Sequence, residues 1–249
     1  MKKINILFIH GFPMSSCIWN NQISHLQNTY KCHAIDLPGY GQNTNIDDKF
    51  QHSIDNYSDY VHGYIKDNYL KPVHLVGMSM GGSVALNISR RYPDAIKSLT
   101  IAHTSAIVDT DEEKSARDKV IKSIENGKLD EFIEWFANRL LSPKTNNEIK
   151  QRYIGLMQEA SQQVIIDGYK AIRNREDEFS NLKNLSIPVL VITGKDDVGS
   201  SPKEMLEMAQ AISNAIYKEI DDCGHLAPLE QPDALNSILT NWFSHFIKN

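Results

Sequence analysis

Cysteine is scarce in this chain, and its three cysteines, Cys17, Cys32 and Cys223, are widely separated. No two of them form a CxxC pair, so neither a zinc knuckle nor a dithiol redox motif is expected. A disulfide scaffold is also not expected, which favours a reducing compartment. With 249 residues, the chain is long enough to bury a large single core without cross-links.

Long apolar runs and an excess of positive charge are missing as well. No stretch approaches the ~18 consecutive apolar residues of a membrane span. The apolar run at residues 4–9 is too short for a signal peptide, and it ends in His10-Gly11-Phe12-Pro13 rather than a cleavage site. Lysine and arginine number 26 against 31 aspartates and glutamates, a net charge of −5 that argues against a nucleic-acid binder. We therefore expect a cytoplasmic protein that binds neither membranes nor nucleic acid.

Short apolar segments alternate with helical patterns along the chain. Most of these segments are rich in β-branched residues and lack strict period-two alternation, which predicts strands covered on both faces. They lie at residues 4–9, 32–36, 72–76, 96–102, 187–193 and 215–220. Between most of them apolar residues recur at helical spacing, and a further such stripe follows the last one, at Leu235, Ile238, Leu239, Trp242, Phe243 and Phe246. The sequence therefore predicts an α/β fold with a mostly parallel, doubly wound sheet of about six strands.

The interval between the fourth and fifth predicted strands is far longer than the dozen or so residues that a crossover helix needs. It contains apolar stripes at helical spacing that begin at Leu129, Ile149 and Val164. We expect a helical cap at residues 109–180, inserted into a core formed by residues 1–108 and 181–249. Such a cap would lie over the carboxyl ends of the strands, where open α/β sheets bind their ligands.

A nucleophile motif follows the third predicted strand. Gly77-Met78-Ser79-Met80-Gly81 is a G-x-S-x-G sequence between a strand and a predicted helix, the context in which this motif has meaning. A sharp turn there lifts the Ser79 hydroxyl out of the sheet, and small residues two positions away on each side relieve the crowding. Because a serine hydroxyl is a weak nucleophile, a base must take its proton.

Candidates for the base and for its carboxylate partner also end strands. His225, in Asp222-Cys223-Gly224-His225-Leu226, follows the last predicted strand, so it is expected at the same sheet edge as Ser79. His103 ends the fourth strand and is a weaker rival. Gly194-Lys195-Asp196-Asp197 follows the fifth strand, and either aspartate could orient the imidazole and stabilise its charged form. The chain order of serine, aspartate and histidine is the one expected of a nucleophile-elbow hydrolase.

Together these motifs resemble the α/β-hydrolase-fold serine hydrolases, in particular the branch of small carboxylesterases and 3-oxoadipate enol-lactonases. The matching pieces, which span almost the whole chain in the family order, are His10-Gly11-Phe12-Pro13, Asp36-Leu37-Pro38-Gly39-Tyr40-Gly41, Gly77–Gly82, Gly194-Lys195-Asp196-Asp197 and Gly224-His225-Leu226.

The resemblance implies a role for each candidate residue. In this family the acid is usually the fourth residue of a G-x-x-D turn, which favours Asp197, although an additional residue before Pro202 leaves Asp196 as an alternative. The oxyanion hole would consist of the backbone N–H groups of Phe12 and Met80. Many members begin with an antiparallel hairpin that this sequence lacks, so six parallel strands are expected. Neither a metal nor an organic cofactor is implied.

The expected function is hydrolysis of small carboxylic esters through an acyl-enzyme formed on Ser79. The same triad could instead open enol-lactones, hydrolyse thioesters or carbon–carbon bonds, or catalyse an elimination of the menaquinone pathway. A protein of another class, a non-catalytic ligand-binding protein on this fold, is the remaining alternative, because fold and triad alone do not define a function.

Overall fold

The computed structural model describes residues 3–47 and 49–247 of the chain. Its centre is a sheet of six parallel strands. They are β1 (Asn5–Ile9), β2 (Lys31–Ile35), β3 (Val73–Met78), β4 (Ile96–Ala102), β5 (Val189–Gly194) and β6 (Ala215–Ile220). The α/β fold with a parallel sheet of six strands is confirmed, and the strand bounds differ from the sequence prediction by at most two residues.

The strand order is β2-β1-β3-β4-β5-β6. The chain therefore moves outward from β1 to β2 and then returns to β3 on the other side of β1. Such a reversal leaves a crevice at the carboxyl ends of β1 and β3, the place where open α/β sheets bind ligands. The central strands β1, β3, β4 and β5 are almost entirely buried, whereas the edge strands β2 and β6 are partly exposed.

Ten helices accompany the sheet in the part of the chain that the structure describes. They are α1 (Asn20–Leu26), α2 (Ile54–Asp67), α3 (Met80–Arg91), α4 (Asp111–Glu125), α5 (Leu129–Leu140), α6 (Asn147–Gln158), α7 (Gln162–Arg173), α8 (Pro202–Gln210), α9 (Ala227–Glu230) and α10 (Pro232–Ile247). Several begin at a side chain that accepts a backbone N–H of the first turn, as Thr110 does for α4 and Ser201 for α8.

Helices α4 to α7 all lie between β4 and β5, where the long interval predicts an insertion. The apolar stripes beginning at Leu129, Ile149 and Val164 correspond to α5, α6 and α7. Helix α4 was not predicted from a stripe, because it is strongly polar and buries only Ile121 and Ile124. Its start is instead marked by the Thr110–Glu113 capping box.

No helix in the described ranges is long and apolar enough to cross a membrane.

Candidate active site

Ser79 occupies a sharp turn between β3 and α3. Its φ of 53° and ψ of −119° lie in a region that residues other than glycine rarely adopt. The Ser79 N–H donates to the carbonyl of Ala102 at 2.9 Å, and the Ser79 carbonyl accepts from the N–H of Gly82 at 2.8 Å. Strained backbone of this kind persists only where its surroundings fix it, and it concentrates at functional sites.

The two glycines of the motif allow this turn to pack closely. A Cβ on Gly77 would lie 2.2 Å from the carbonyl oxygen of Gly81. A Cβ on Gly81 would lie 2.4 Å from the carbonyl oxygen of His10, on the loop that follows β1. Side chains at these two positions would therefore push α3 away from both neighbouring segments.

His225 lies within hydrogen-bond distance of both Ser79 and Asp197. The Ser79 hydroxyl donates to Nε2 of His225 over 2.9 Å. On the other side of the ring, Nδ1 lies 3.0 Å from each carboxylate oxygen of Asp197. These bonds require the proton to sit on Nδ1, which leaves the lone pair of Nε2 free to accept the serine proton.

Asp197 is buried and its carboxylate is surrounded by donors. The N–H groups of Gly199 and Ser200 donate to Oδ1 at 2.8 and 3.1 Å, and the Ser200 hydroxyl donates to Oδ2 at 3.0 Å. Burial would raise the pKa of Asp197, but the charge of His225 and the hydrogen bonds of His103 and His225 outweigh it. They hold this pKa well below its usual range, so the carboxylate is ionised wherever the protein is folded near neutral pH.

Asp196 has a different partner. Its Oδ2 accepts the hydroxyl of Ser142, on the loop after α5, at 2.6 Å. The structure thus brings Asp197, and not Asp196, to the ring of His225.

The loop after β1 is held in shape by a neutral imidazole. His10 is fully buried, its Nδ1–H donates to the carbonyl of Gly11 at 2.9 Å, and its Nε2 accepts the N–H of Leu37 at 3.0 Å. Burial lowers the pKa of His10 to about 4. Within the described residues, the backbone N–H groups of Phe12 and Met80 have no acceptor, as an oxyanion hole would require.

Aromatic side chains of the inserted helices cover this loop. The Phe12 ring lies 6.0 Å from the ring of Phe136 on α5 and 5.5 Å from that of Tyr169 on α7. Phe132 lies between them, 5.2 Å from Phe136 and 5.6 Å from Tyr169. The side of the crevice next to Phe12 is therefore apolar.

Glu230, which the sequence analysis did not single out, anchors the loop that carries His225. Its Oε1 accepts the N–H of Leu226 at 2.9 Å, and its Oε2 accepts that of Gly224 at 3.2 Å. Oε2 also accepts the N–H of Ser142 at 2.8 Å and the hydroxyl of Thr145 at 2.6 Å. One buried carboxylate thus joins the α5–α6 loop to both neighbours of the histidine. The only sequence signal for it is an acidic residue in an otherwise apolar segment.

His103, the rival base, contacts the acid instead of the serine. Its Nδ1 lies 2.9 Å from Oδ2 of Asp197, and the ring is completely buried. Ligand atoms of His103, Asp197 and His225 lie within 4.8 Å of one another, a donor set of the kind that transition metals use. However, the N···O distances of 2.9–3.0 Å are those of hydrogen bonds, whereas ligands around a tetrahedral zinc are about 3.3 Å apart. The cluster therefore fits hydrogen bonding better than metal coordination.

Parallel strands, a nucleophile elbow and a serine, an aspartate and a histidine in this chain order define a class of protein. A sequence profile of the alpha/beta hydrolase family matches residues 6–238, and the chain belongs to that family.

The relatives of this chain include esterases and an enol-lactonase. The chain is 32% identical over 208 residues to the pimeloyl-(acyl-carrier protein) methyl ester esterase of Wigglesworthia glossinidia brevipalpis, a match that covers 79% of this chain and 76% of that protein. It is 25% identical over 248 residues to 3-oxoadipate enol-lactonase 1 of Acinetobacter baylyi, covering 98% and 88% of the two chains. Among solved structures, a thermophilic esterase from Thermogutta terrifontis superimposes with a TM-score of 0.92 at 27% identity, covering 98% of this chain and 90% of that one.

Proposed function

We propose that this protein is a serine hydrolase of small carboxylic esters that works through an acyl-enzyme on Ser79. The observation that carries the proposal is the unbroken hydrogen-bonded series from Ser79 Oγ through His225 to Asp197, with bonds of 2.9 and 3.0 Å. The relatives named above support the choice of substrate. A methyl ester and an enol-lactone share the carbonyl carbon of a carboxylic ester as the atom under attack.

In the proposed mechanism each residue has one task. Ser79 Oγ attacks the ester carbonyl while Nε2 of His225 accepts its proton. The N–H groups of Phe12 and Met80 bind the oxyanion that forms. His225 then gives the proton to the leaving alcohol, and water repeats the sequence on the acyl-enzyme. Asp197 keeps the imidazole in the required tautomer and stabilises its charged form.

We also propose that residues 109–180 act as a cap over the crevice and thereby select the substrate. The contacts of Phe136 and Tyr169 with Phe12 support this role, because they place apolar rings beside the proposed oxyanion hole. An acyl or alcohol group with a hydrocarbon surface would pack well there, since burying apolar surface is favourable by about 25 cal/mol per Å².

The test is turnover of p-nitrophenyl esters of graded acyl length by the wild type, Ser79→Ala and Ser83→Ala. Ser83 is a matched control, because it lies one helical turn further along α3 and, among the residues that the structure describes, its hydroxyl hydrogen-bonds only to that of Thr104, at 3.4 Å. We expect Ser79→Ala to lose at least about 10³-fold in kcat and Ser83→Ala to remain within about threefold.

A second measurement identifies the nucleophile directly. A fluorophosphonate should add one covalent group to the wild type and to Ser83→Ala, and none to Ser79→Ala, as read by intact-protein mass spectrometry. If Ser79→Ala retains turnover and still reacts, the serine mechanism is wrong. If the wild type binds esters but never turns them over, a binding protein on this fold becomes the better description.

A further inference from the structure

His103 has an unusual backbone conformation. It directly follows β4, and its φ of 51° lies in the left-handed region. Its N–H donates to the carbonyl of Ile192 on β5 at 3.0 Å, which fixes the residue between two central strands. A strained residue that is not glycine costs about 1–3 kcal/mol and is retained where it serves a function. Ser79, at the end of the neighbouring strand β3, is held in the same way.

The strained backbone directs the His103 ring to the carboxylate that orients His225. Nδ1 of His103 lies 2.9 Å from Oδ2 of Asp197, and the same oxygen lies 3.0 Å from Nδ1 of His225. Since a carboxylate accepts and cannot donate, both imidazoles present an Nδ1–H to Asp197. One acid therefore serves two histidines.

The other nitrogen of His103 indicates its charge. Nε2 is buried and has no hydrogen-bond partner in the described part of the chain. In the neutral ring this atom leaves an unused acceptor, whereas a charged ring would bury an N–H without an acceptor beside it. The second arrangement is the costlier one, so His103 is a neutral donor.

Orientation of the carboxylate does not depend on His103 alone. Gly199 and Ser200 already supply three donors to it. What His103 adds is a second imidazole N–H on Oδ2, the oxygen that His225 also contacts, so that part of the negative charge of Oδ2 is taken up by His103 and less of it acts on His225. Other ionisable groups also face the loop that carries His225: Glu230, which accepts the N–H groups of Gly224 and Leu226, and Asp196, whose N–H donates to the carbonyl of Cys223. The thiol of Cys223 stays neutral because burial, with these nearby carboxylates, raises its pKa far above the usual range.

We propose that His103 is a positioning residue that shares the carboxylate of Asp197 with His225 and so limits how strongly Asp197 stabilises the protonated base. This inference rests on the proposed serine mechanism. Its consequence is a base that becomes neutral at a lower pH than a histidine facing an unshared carboxylate. A base held less tightly in its charged form also returns its proton more readily to the leaving alcohol.

Two kinds of substitution separate the donor from the bulk of the side chain. In His103→Asn, the amide nitrogen can occupy the position of Nδ1, so the bond to Asp197 is retained. In His103→Leu, a carbon of similar size stands there and donates nothing, and His103→Ala is a second variant without a donor. His74→Leu is the matched control, because His74 is also buried and bonded through Nδ1, but to Ser98 at 2.7 Å and at the amino-terminal end of β3.

The experiment measures kcat/KM for a p-nitrophenyl ester between about pH 5 and pH 9. For each variant it determines the midpoint, the pH at which kcat/KM reaches half of its maximum on the acidic side of the profile. This midpoint does not depend on the fraction of active protein. We expect His103→Leu and His103→Ala to raise it by about one unit, a tenfold change in proton binding by the base. The midpoint rises because an unshared carboxylate favours the charged imidazole, and a higher pH is then needed to deprotonate it.

We expect His103→Asn and His74→Leu to remain within about 0.3 unit of the wild type. A rise below about 0.5 unit in the donor-free variants, or an equal rise in His103→Asn, overturns the inference. Ser79→Ala is measured in parallel. If it stays active, the proposed mechanism has failed. If it is inactive while the midpoints do not move, only the role of His103 is wrong.

Discussion

Glu230→Gln tests how far the geometry of His225 depends on a buried carboxylate outside the triad. The Glu230 side chain accepts four hydrogen bonds, three at Oε2 and one at Oε1. An amide can place its oxygen at only one of these positions. The favourable orientation keeps the three bonds at Oε2 and sets the amide NH₂ against the N–H of Leu226, which then lacks an acceptor next to the histidine.

The expected loss can be estimated from that one bond. A hydrogen bond to a buried charged group contributes about 1.5–3 kcal/mol. In a chain of this size each kcal/mol shifts Tm by about 2–4 °C, so we expect Tm to fall by about 3–12 °C. Activity should fall further than stability alone explains. Displacement of a catalytic group by about 1 Å costs on the order of 10²-fold, and we expect kcat to fall about 10- to 100-fold at 25 °C.

Glu178→Gln is the matched control for this effect. Glu178 is similarly buried, and its carboxylate accepts from Arg90 at 3.0 Å, at the end of α3 remote from Ser79, and from Asn181 at 3.2 Å. Calorimetry should give both variants comparable losses of Tm, whereas the ester assay should find kcat of Glu178→Gln within about twofold of the wild type. If the two variants lose activity equally, Glu230 does not act through His225 and the reasoning is refuted.

Two further predictions concern Asp197 and His10. Asp197→Asn should reduce kcat by about 10⁴-fold because the amide favours the wrong imidazole tautomer. Asp196→Asn should reduce kcat less than about tenfold, and the reverse ranking in the ester assay would make Asp196 the acid of the triad. Burial lowers the pKa of His10 to about 4, below the value of about 6.5 in the unfolded chain. The unfolded state therefore binds the proton first, and the free energy of unfolding decreases as the pH drops from about 6.5 to about 4. The loss from this group is about 3 kcal/mol, and His10→Gln, which keeps an acceptor for Leu37, should show a correspondingly flatter dependence of Tm on pH; a dependence as steep as that of the wild type would contradict the assignment.

Much of the fold could be predicted because its signals are local. Buried parallel strands need continuous apolar segments, and the sharp turn at Ser79 needs small residues at positions 77 and 81. The family order of motifs then indicated which strand ends meet. Helix α4 was missed because its exposed surface leaves almost no apolar stripe.

The remaining parts of the site depend on contacts between distant segments. His103 lies 94 positions from Asp197 in sequence, and Glu230 lies 88 positions from Ser142. No periodicity or spacing marks such pairs. Both residues carry an ordinary polar side chain at the end of an element, and their importance becomes visible only when the sheet brings the segments together.

The shared carboxylate of Glu230 has a consequence for exchanging parts between members of this family. Ser142 and Thr145 belong to the insertion between β4 and β5, and they are bound by the same side chain that holds the histidine loop. Helices transplanted from a relative to change substrate preference would therefore need an equivalent N–H and hydroxyl at these positions. A chimera without them would leave Glu230 with fewer hydrogen-bond donors, so the loop of His225 would be held less firmly even if the new helices fit the ester well.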